Sequence, residues 1–175
     1  MLLNLPLSRS KLDRAAHLRS DSAALDELFS KAKIISMVAD RFECSEKGLT
    51  FIPPELAKGE RYFLGLSSDG QAYFLAHQVS DQKEFGENFQ SLRTLGAHLN
   101  DLEIGAAVHS LALSQWHQSH MRCSKCGEET KSILGGSVRK CLVCSAEHHP
   151  RTDPAIIVLV KDSKDRILLG RQKVW

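Results

Sequence analysis

No apolar run among the 175 residues approaches the roughly 18–20 needed to span a bilayer as a helix. The start, Met1-Leu-Leu-Asn-Leu-Pro6, is too short for a secretory leader, and its cationic residues follow the apolar stretch instead of preceding it. Internal repeats, low-complexity tracts, a G-x-x-x-x-G-K-[ST] phosphate loop, a G-x-G-x-x-G turn and a helix with paired carboxylates are all missing. Cysteine is scarce: there are five, four of them in two close pairs, which leaves Cys44 over. Cys44 reads as strand packing, and an unpaired cysteine beside a thiolate cluster fits a reducing cytoplasm. The remaining composition, 42% hydrophobic and 25% charged, is that of an ordinary soluble domain, or of one domain plus a small metal-stapled one. Net charge is +2, divided as −3 over residues 1–120 and +5 over 121–175. That bias is a mild argument for nucleic acid.

The four paired cysteines organise the chain. Cys123-Ser-Lys-Cys126-Gly127 and Cys141-Leu-Val-Cys144 are separated by fourteen residues. Two C-x2-C knuckles facing each other across a hairpin supply four thiolates to one tetrahedral Zn²⁺. Gly127 suits a knuckle that needs positive φ, and Gly135-Gly136 lies where a ribbon would turn. The rival readings are two local disulfides or a redox pair, but a redox site needs one C-x-x-C at a helix N-terminus. With four thiolate ligands no coordination position is left for water, so the metal is expected to be structural.

Along the chain, periodicity predicts a short helix from Ser8 to Arg19 and a second from an N-cap at Ser22 to Lys31. Ile34–Val38 and Leu49–Ile52 read as strands, the latter stopping at Pro53-Pro54. Residues 61–66 and 71–76, joined by Ser67-Ser-Asp-Gly70, read as a hairpin. Asp81–Asn88 reads as a polar loop. A long helix should begin at Asn100, where Asn-x-x-Glu103 makes a capping box. Its apolar stripe is Leu102, Ala106, His109, Leu113 and Trp116, broadened by Ile104, Val108 and Leu111, with His109 a packed core histidine. His117 and His120 flank the ribbon and read as surface groups or as partners of the metal ligands. After the ribbon, Ala155–Val160, a turn at Asp162–Asp165 and Ile167–Leu169 read as a second hairpin.

Several of these segments together resemble the NADH pyrophosphatases of the Nudix superfamily. The resemblance rests on Trp116-His117, Cys123-x2-Cys126-Gly127, Gly135-Gly136, Arg139-x-Cys141-x2-Cys144 and His149-Pro150-Arg151-x-Asp153-Pro154-Ala155-Ile156-Ile157. Leu168-Leu169-Gly170-Arg171-Gln172 looks like the strand before the Nudix box; Leu12-Asp13-Arg14, Arg19 and Ser91-Leu92-Arg93 are weaker features. The resemblance implies an α+β architecture: a Nudix-like N-terminal domain over 1–118, a four-cysteine zinc ribbon over 119–148, and the first β-hairpin of a truncated Nudix domain over 149–175. It implies hydrolysis of the NADH or NAD diphosphate to nicotinamide mononucleotide and AMP, or removal of NAD caps from RNA. It further implies a homodimer, and Mg²⁺ or Mn²⁺ held by carboxylates of the pattern G-x5-E-x7-R-E-U-x-E-E-x-G-U. Arg93 stands where the family has an arginine expected to reach the substrate, and His149 where a tyrosine is expected to stack on a substrate base. Arg122 stands where an aromatic is more usual.

The carboxylate pattern is absent from the 175 residues, and Glu128-Glu129 sits on the ribbon. The chain is therefore expected to be a truncated product, an engineered fragment or a degenerate gene product, and not to hydrolyse NADH by itself. One alternative is a zinc-ribbon module that binds nucleic acid, favoured by the basic tail but lacking an exposed aromatic platform. Another is a dimerisation module without catalysis. A zinc deaminase fails because Arg122 and Lys140 precede the pairs where a Pro-Cys-x-x-Cys is required.

Overall fold

The computed structural model describes residue 7 and residues 9–80, 85–170 and 173. The readings placed on Met1–Pro6, Ser8, residues 81–84 and Arg171-Gln172 lie outside the described residues. Helix α1 (Ser22–Ser30) starts on Asp21, whose carboxylate accepts from the Ala24 amide; the cap is one residue earlier than the expected Ser22. Strands β1 (Lys33–Val38), β2 (Arg41–Ser45), β3 (Gly48–Leu49) and β4 (Phe51–Ile52) follow. Then come β5 (Glu60–Leu66) and β6 (Ala72–Gln78), the hairpin expected from its Asp-Gly turn. β7 (Phe89–Ser91), the short helix α2 (Leu92–Leu95) and the long helix α3 (Asp101–Ser119) complete this part.

The strands join in one sheet of order β3-β2-β1-β6-β5, with β4 also paired to β1 and β7 to β2. β1 and β6 run parallel, and the other described pairs are antiparallel. Because side chains alternate across a strand, the central strands feed two cores. Ile35, Met37, Tyr62, Leu64, Tyr73 and Leu75 face one way and pack with Ile104, Ala106, Ala107 and Leu113 of α3. Ile34, Phe63, Ala72, Phe74 and Ala76 face the other and pack with Leu25, Leu28 and Phe29 of α1. Cys44 is buried in the α3-side core, as its strand position implied. None of the helices among the described residues is long and apolar enough to cross a membrane.

The capping box at α3 is present: Asn100 Oδ1 accepts from the Leu102 and Glu103 amides, and Glu103 Oε2 accepts from the Asn100 amide at 3.1 Å. Glu103 does more than cap. It is 7% exposed, and its Oε1 accepts from the Leu49 amide of β3 at 3.2 Å, fastening the helix start to the sheet edge.

Three expectations need correction. The helix over 8–19 is not formed. Asp13 instead makes an antiparallel bridge to Leu66, with both amide–carbonyl bonds at 2.8 Å, and only Ala16–Leu18 forms a 3-10 turn. The close approach needs Gly65, where a Cβ would lie 2.1 Å from the Asp13 carbonyl oxygen. The α3 face is also broader than expected. Ile104, Ala106 and Leu113 are buried and Leu102, Val108 and Leu111 pack against the core as expected, but Glu103, Ala107, Ser110, Ser114 and His117 are buried too, while His109 and Trp116 are half-buried. Finally, residues 155–169 form no strand ladder. The turn closes as expected, with the Asp162 amide donating to the Arg166 carbonyl at 3.0 Å and one bridge from Lys161 to Ile167, but Ala155–Val160 lies exposed.

Glu103→Ala should lower stability by about 2 kcal/mol, because it removes the cap and leaves the Leu49 amide without its acceptor. Urea unfolding should show the loss as a shifted midpoint with an unchanged slope.

Candidate metal centre

After α3 the chain enters a three-stranded ribbon, β8 (Thr130–Ile133), β9 (Val138–Cys141) and β10 (Glu147–His148), in the order β10-β9-β8. The turn between β8 and β9 falls at Leu134–Gly136, and Gly127 after the first knuckle has φ +79°, both as expected. The four sulfurs of Cys123, Cys126, Cys141 and Cys144 lie within 4.8 Å of one another. Individual separations are 3.6 Å for Cys123–Cys144, 3.5 Å for Cys126–Cys141 and 3.4 Å for Cys126–Cys144. These are far longer than a disulfide of about 2.05 Å, and all five cysteines are free thiols. Neither pair opens a helix, which removes the redox-pair reading. Sulfurs about 2.3 Å from a central zinc are about 3.8 Å apart, so the cluster fits a tetrathiolate zinc site within a few tenths of an ångström.

Backbone donors support anionic sulfur. The Lys125 amide donates to Cys123 Sγ, and the Val143 and Cys144 amides to Cys141 Sγ, all at 3.4 Å. Donation from Cys144, against burial and with help from Val143, holds the Cys141 thiol down at about 6. His148 Nε2 lies 3.3 Å from Cys123 Sγ and completes the surroundings of that ligand.

The ribbon is docked on the α+β domain through a buried polar joint that sequence reasoning missed. Arg139, 5% exposed, donates from Nε to Thr130 Oγ1 and from Nη2 to the Thr130 carbonyl, each at 2.7 Å. Its Nη1 lies 2.9 Å from His117 Nδ1. A guanidinium can only donate, so Nδ1 accepts and the histidine proton sits on Nε2, which donates to the Gly136 carbonyl at 2.8 Å. The His117 ring stacks on Tyr62 of β5, centroids 4.1 Å apart and nearly parallel, and the Tyr62 hydroxyl donates to Glu60. Gly136 is required at this point: a Cβ there would lie 2.5 Å from Cδ1 of Tyr62. His117 is therefore a buried pin between α3 and the ribbon, neither the surface group nor the partner of a metal ligand expected. One signal was available, since Arg139 stands two residues from Cys141 on β9 and must share its face.

Burial, with the nearby Arg139 charge, pushes His117 down to about 4. Tyr62 is pushed well up by burial and by its bond to Glu60. The other two expected site residues are not brought into this cluster. Arg93 is exposed on α2, and His149 is exposed directly after β10. A cavity of about 380 Å³ beside α3 includes neither in its lining.

No protein-family model matches the chain. Among curated proteins it is 33% identical over 109 residues to the mouse "NAD(P)H pyrophosphatase NUDT13, mitochondrial", a match covering 62% of this chain and 31% of the relative. The human protein of the same name is also 33% identical over 109 residues. It is 30% identical over 186 aligned positions to the "NAD-capped RNA hydrolase NudC" of Mycobacterium tuberculosis H37Rv, covering 97% of this chain and 56% of that protein. The chain thus spans between about a third and just over half the length of these curated relatives.

Two outcomes follow from this geometry. Purified protein should contain one zinc per chain, lost in Cys141→Ser. A chelator should melt the cysteine end of the ribbon while the far-ultraviolet signature of the α+β domain persists, since metal binding and ribbon folding are coupled at about 10–16 kcal/mol. The second concerns pH. His117 titrates near 4 when folded and near 6.5 when unfolded, so between these values the unfolded chain holds the extra proton. Stability should fall as pH drops from about 6.5 to 4. Zinc thiolates protonate in an overlapping range, so the diagnostic is His117→Asn: its stability should change less between pH 6.5 and 5 than that of the parent, at equal zinc content.

Proposed function

Because the chain belongs to the NADH pyrophosphatase lineage of the Nudix superfamily, we propose that these residues form the scaffold and recognition half of an enzyme that hydrolyses the diphosphate of NADH or NAD, free or as an RNA cap. The observation that carries the reading is the relatedness along 97% of the chain to a protein named as an NAD-capped RNA hydrolase, together with a clustered four-cysteine site of zinc dimensions. In this reading residues 1–118 are a Nudix-like domain, 119–148 a zinc ribbon and 149–175 the opening hairpin of the catalytic domain. Zn²⁺ on Cys123, Cys126, Cys141 and Cys144 is structural, since four thiolates leave no site for water or phosphate.

Phosphoryl chemistry then falls to Mg²⁺ or Mn²⁺ on a carboxylate helix, a pattern these 175 residues do not contain. In this reading Arg93, exposed on α2, serves as a charge-assisted donor to a substrate phosphate, and His149, exposed after β10, stacks on a base ring. A homodimer and a reducing, cytoplasm-like compartment belong to the same reading. The nucleic-acid module is the weaker alternative: residues 119–148 contain no Phe, Tyr or Trp on which bases could stack.

Incubated with NADH and Mg²⁺ or Mn²⁺, these residues alone should release no AMP above a buffer blank. Turnover that survives replacement of both Glu128 and Glu129 would overturn the assignment of chemistry to a separate carboxylate helix. In a chain extended to include such a helix, Arg93→Ala should raise KM roughly tenfold without altering zinc content. An unchanged KM would remove Arg93 from the substrate site.

A further inference from the structure

A cavity of about 380 Å³ lies between the 9–14 segment, α3, Leu64 of β5 and Pro150–Thr152. That volume is within the ordinary range for small-molecule sites. Its walls are largely apolar, from Leu12, Leu64, Val108 and Leu113 among others. Its polar side chains are the guanidiniums of Arg9, Arg14 and Arg151, the rings of His109 and Trp116 and the hydroxyls of Ser10 and Thr152, with no carboxylate among the lining residues. His109 and Trp116 both line it, and each keeps a buried ring nitrogen, Nε2 and Nε1, with no hydrogen-bond partner. Unpartnered buried groups are rare in folded proteins and call for an explanation.

The cations around the cavity differ in how they are matched. Arg9 is paired with Asp101 at 2.9 Å and Arg151 with Asp153 at 3.1 Å. Arg14 also lines the cavity, and among the described residues no acidic side chain pairs with it. Arg19 is not part of the lining: its guanidinium lies over the Phe63 ring, 5.4 Å from the centroid, and its Nη2 donates to the Arg14 carbonyl at 3.3 Å. Arg14 and Arg19 both act on His109, adding to burial in keeping it uncharged. Arg14, the Trp116 ring and the His109 imidazole thus line one cavity with no carboxylate among its lining residues.

We propose that this cavity binds a small organic oxyanion, a flat apolar body bearing a phosphate or carboxylate head, with the head toward Arg14 and the body between Trp116 and the leucines. A lining with an arginine unmatched by any acid and no carboxylate of its own favours an anionic ligand, and the apolar walls require more than a bare ion. The lining includes neither Arg93 nor the four cysteines, though its Pro150 wall directly follows His149, so a variant at Arg93 separates this site from the proposed substrate contact there.

The test uses the full chain carrying Trp175→Phe, which leaves Trp116 as its sole tryptophan. Its fluorescence is followed during titration with AMP, phenyl phosphate, benzoate, adenosine and inorganic phosphate. AMP, phenyl phosphate or benzoate should give a saturable change, with adenosine and inorganic phosphate at least tenfold weaker. Which of the three binds most tightly distinguishes a phosphate from a carboxylate head. Arg14→Gln, at an exposed side chain, should weaken binding about tenfold with an unchanged melting temperature. Ala112→Phe, also at an exposed lining position, should abolish it by filling the cavity. Arg93→Gln should leave it unchanged. Adenosine binding as tightly as AMP, binding lost in Arg93→Gln but kept in Arg14→Gln, or no saturable binding by any probe overturns the proposal.

Discussion

A buried guanidinium cannot be left to itself, and the rest of this structure is arranged around that constraint. Among the described residues no carboxylate answers Arg139, so its charge is met by dipoles: two oxygens of Thr130 and one nitrogen of His117. Each partner is then fixed in turn. Thr130 Oγ1 has its own proton committed to the His120 carbonyl at 2.6 Å, which ties the ribbon to the end of α3. His117 must be neutral, must carry its proton on Nε2, and must find an acceptor, which is the Gly136 carbonyl. The turn can come that close only because residue 136 has no side chain to meet the Tyr62 ring. A single polar chain therefore runs from β9 through α3 to the ribbon turn, and its stacked face closes on the sheet.

The same joint explains which parts of the molecule were legible in the sequence. The cysteine site was, because metal coordination is a matter of local spacing and two knuckles plus a glycine turn specify it. The β5–β6 hairpin and the start of α3 were legible for the same reason, since an Asp-Gly turn and an Asn-x-x-Glu cap act over four residues. The buried face of α3 was legible in part. The expected face supplies Ile104, Ala106 and Leu113 to the core, but a second row about 100° away, through Glu103, Ala107, Ser110, Ser114 and His117, is buried as well. Hydrophobic periodicity assigns polar residues outward, whereas Glu103 and His117 are buried because partners elsewhere in the chain, Leu49 and Arg139, satisfy them. Long-range hydrogen bonds leave no periodic trace.

Two further segments show the converse failure, where local pattern was present and structure did not follow it. Leu12, Ala15, Ala16 and Leu18 supply helical spacing, but the Asp13 backbone is taken by Leu66, and Ala15 follows at φ 41°, outside any helix. Ala155–Val160 is as strongly β-branched as β1, yet it stands exposed with one bridge near its end. A strand is stabilised by cross-strand neighbours and not by its own composition, and a lone hairpin is marginal without a third strand or a covering face. β1 has β2, β4 and β6 beside it; the 155–160 run has no strand on either side among the described residues.

Those considerations bear on what a zinc ion at the four cysteines would do. Four thiolates would leave it no chemistry of its own, so whatever it contributed to function would pass through geometry. The route is short. His148 is held by Cys123 Sγ and by its pairing with Arg139, and strand alternation then turns the next residue, His149, to solvent. The direction in which the chain leaves the ribbon is thus set at one end by a cysteine and at the other by the buried arginine. If His149 meets the substrate, the cysteine cluster positions it from a single residue away. Loss of metal would then weaken substrate binding before it unfolded the α+β domain, whose core residues Ile35, Leu75 and Ile104 are supplied by the sheet and α3.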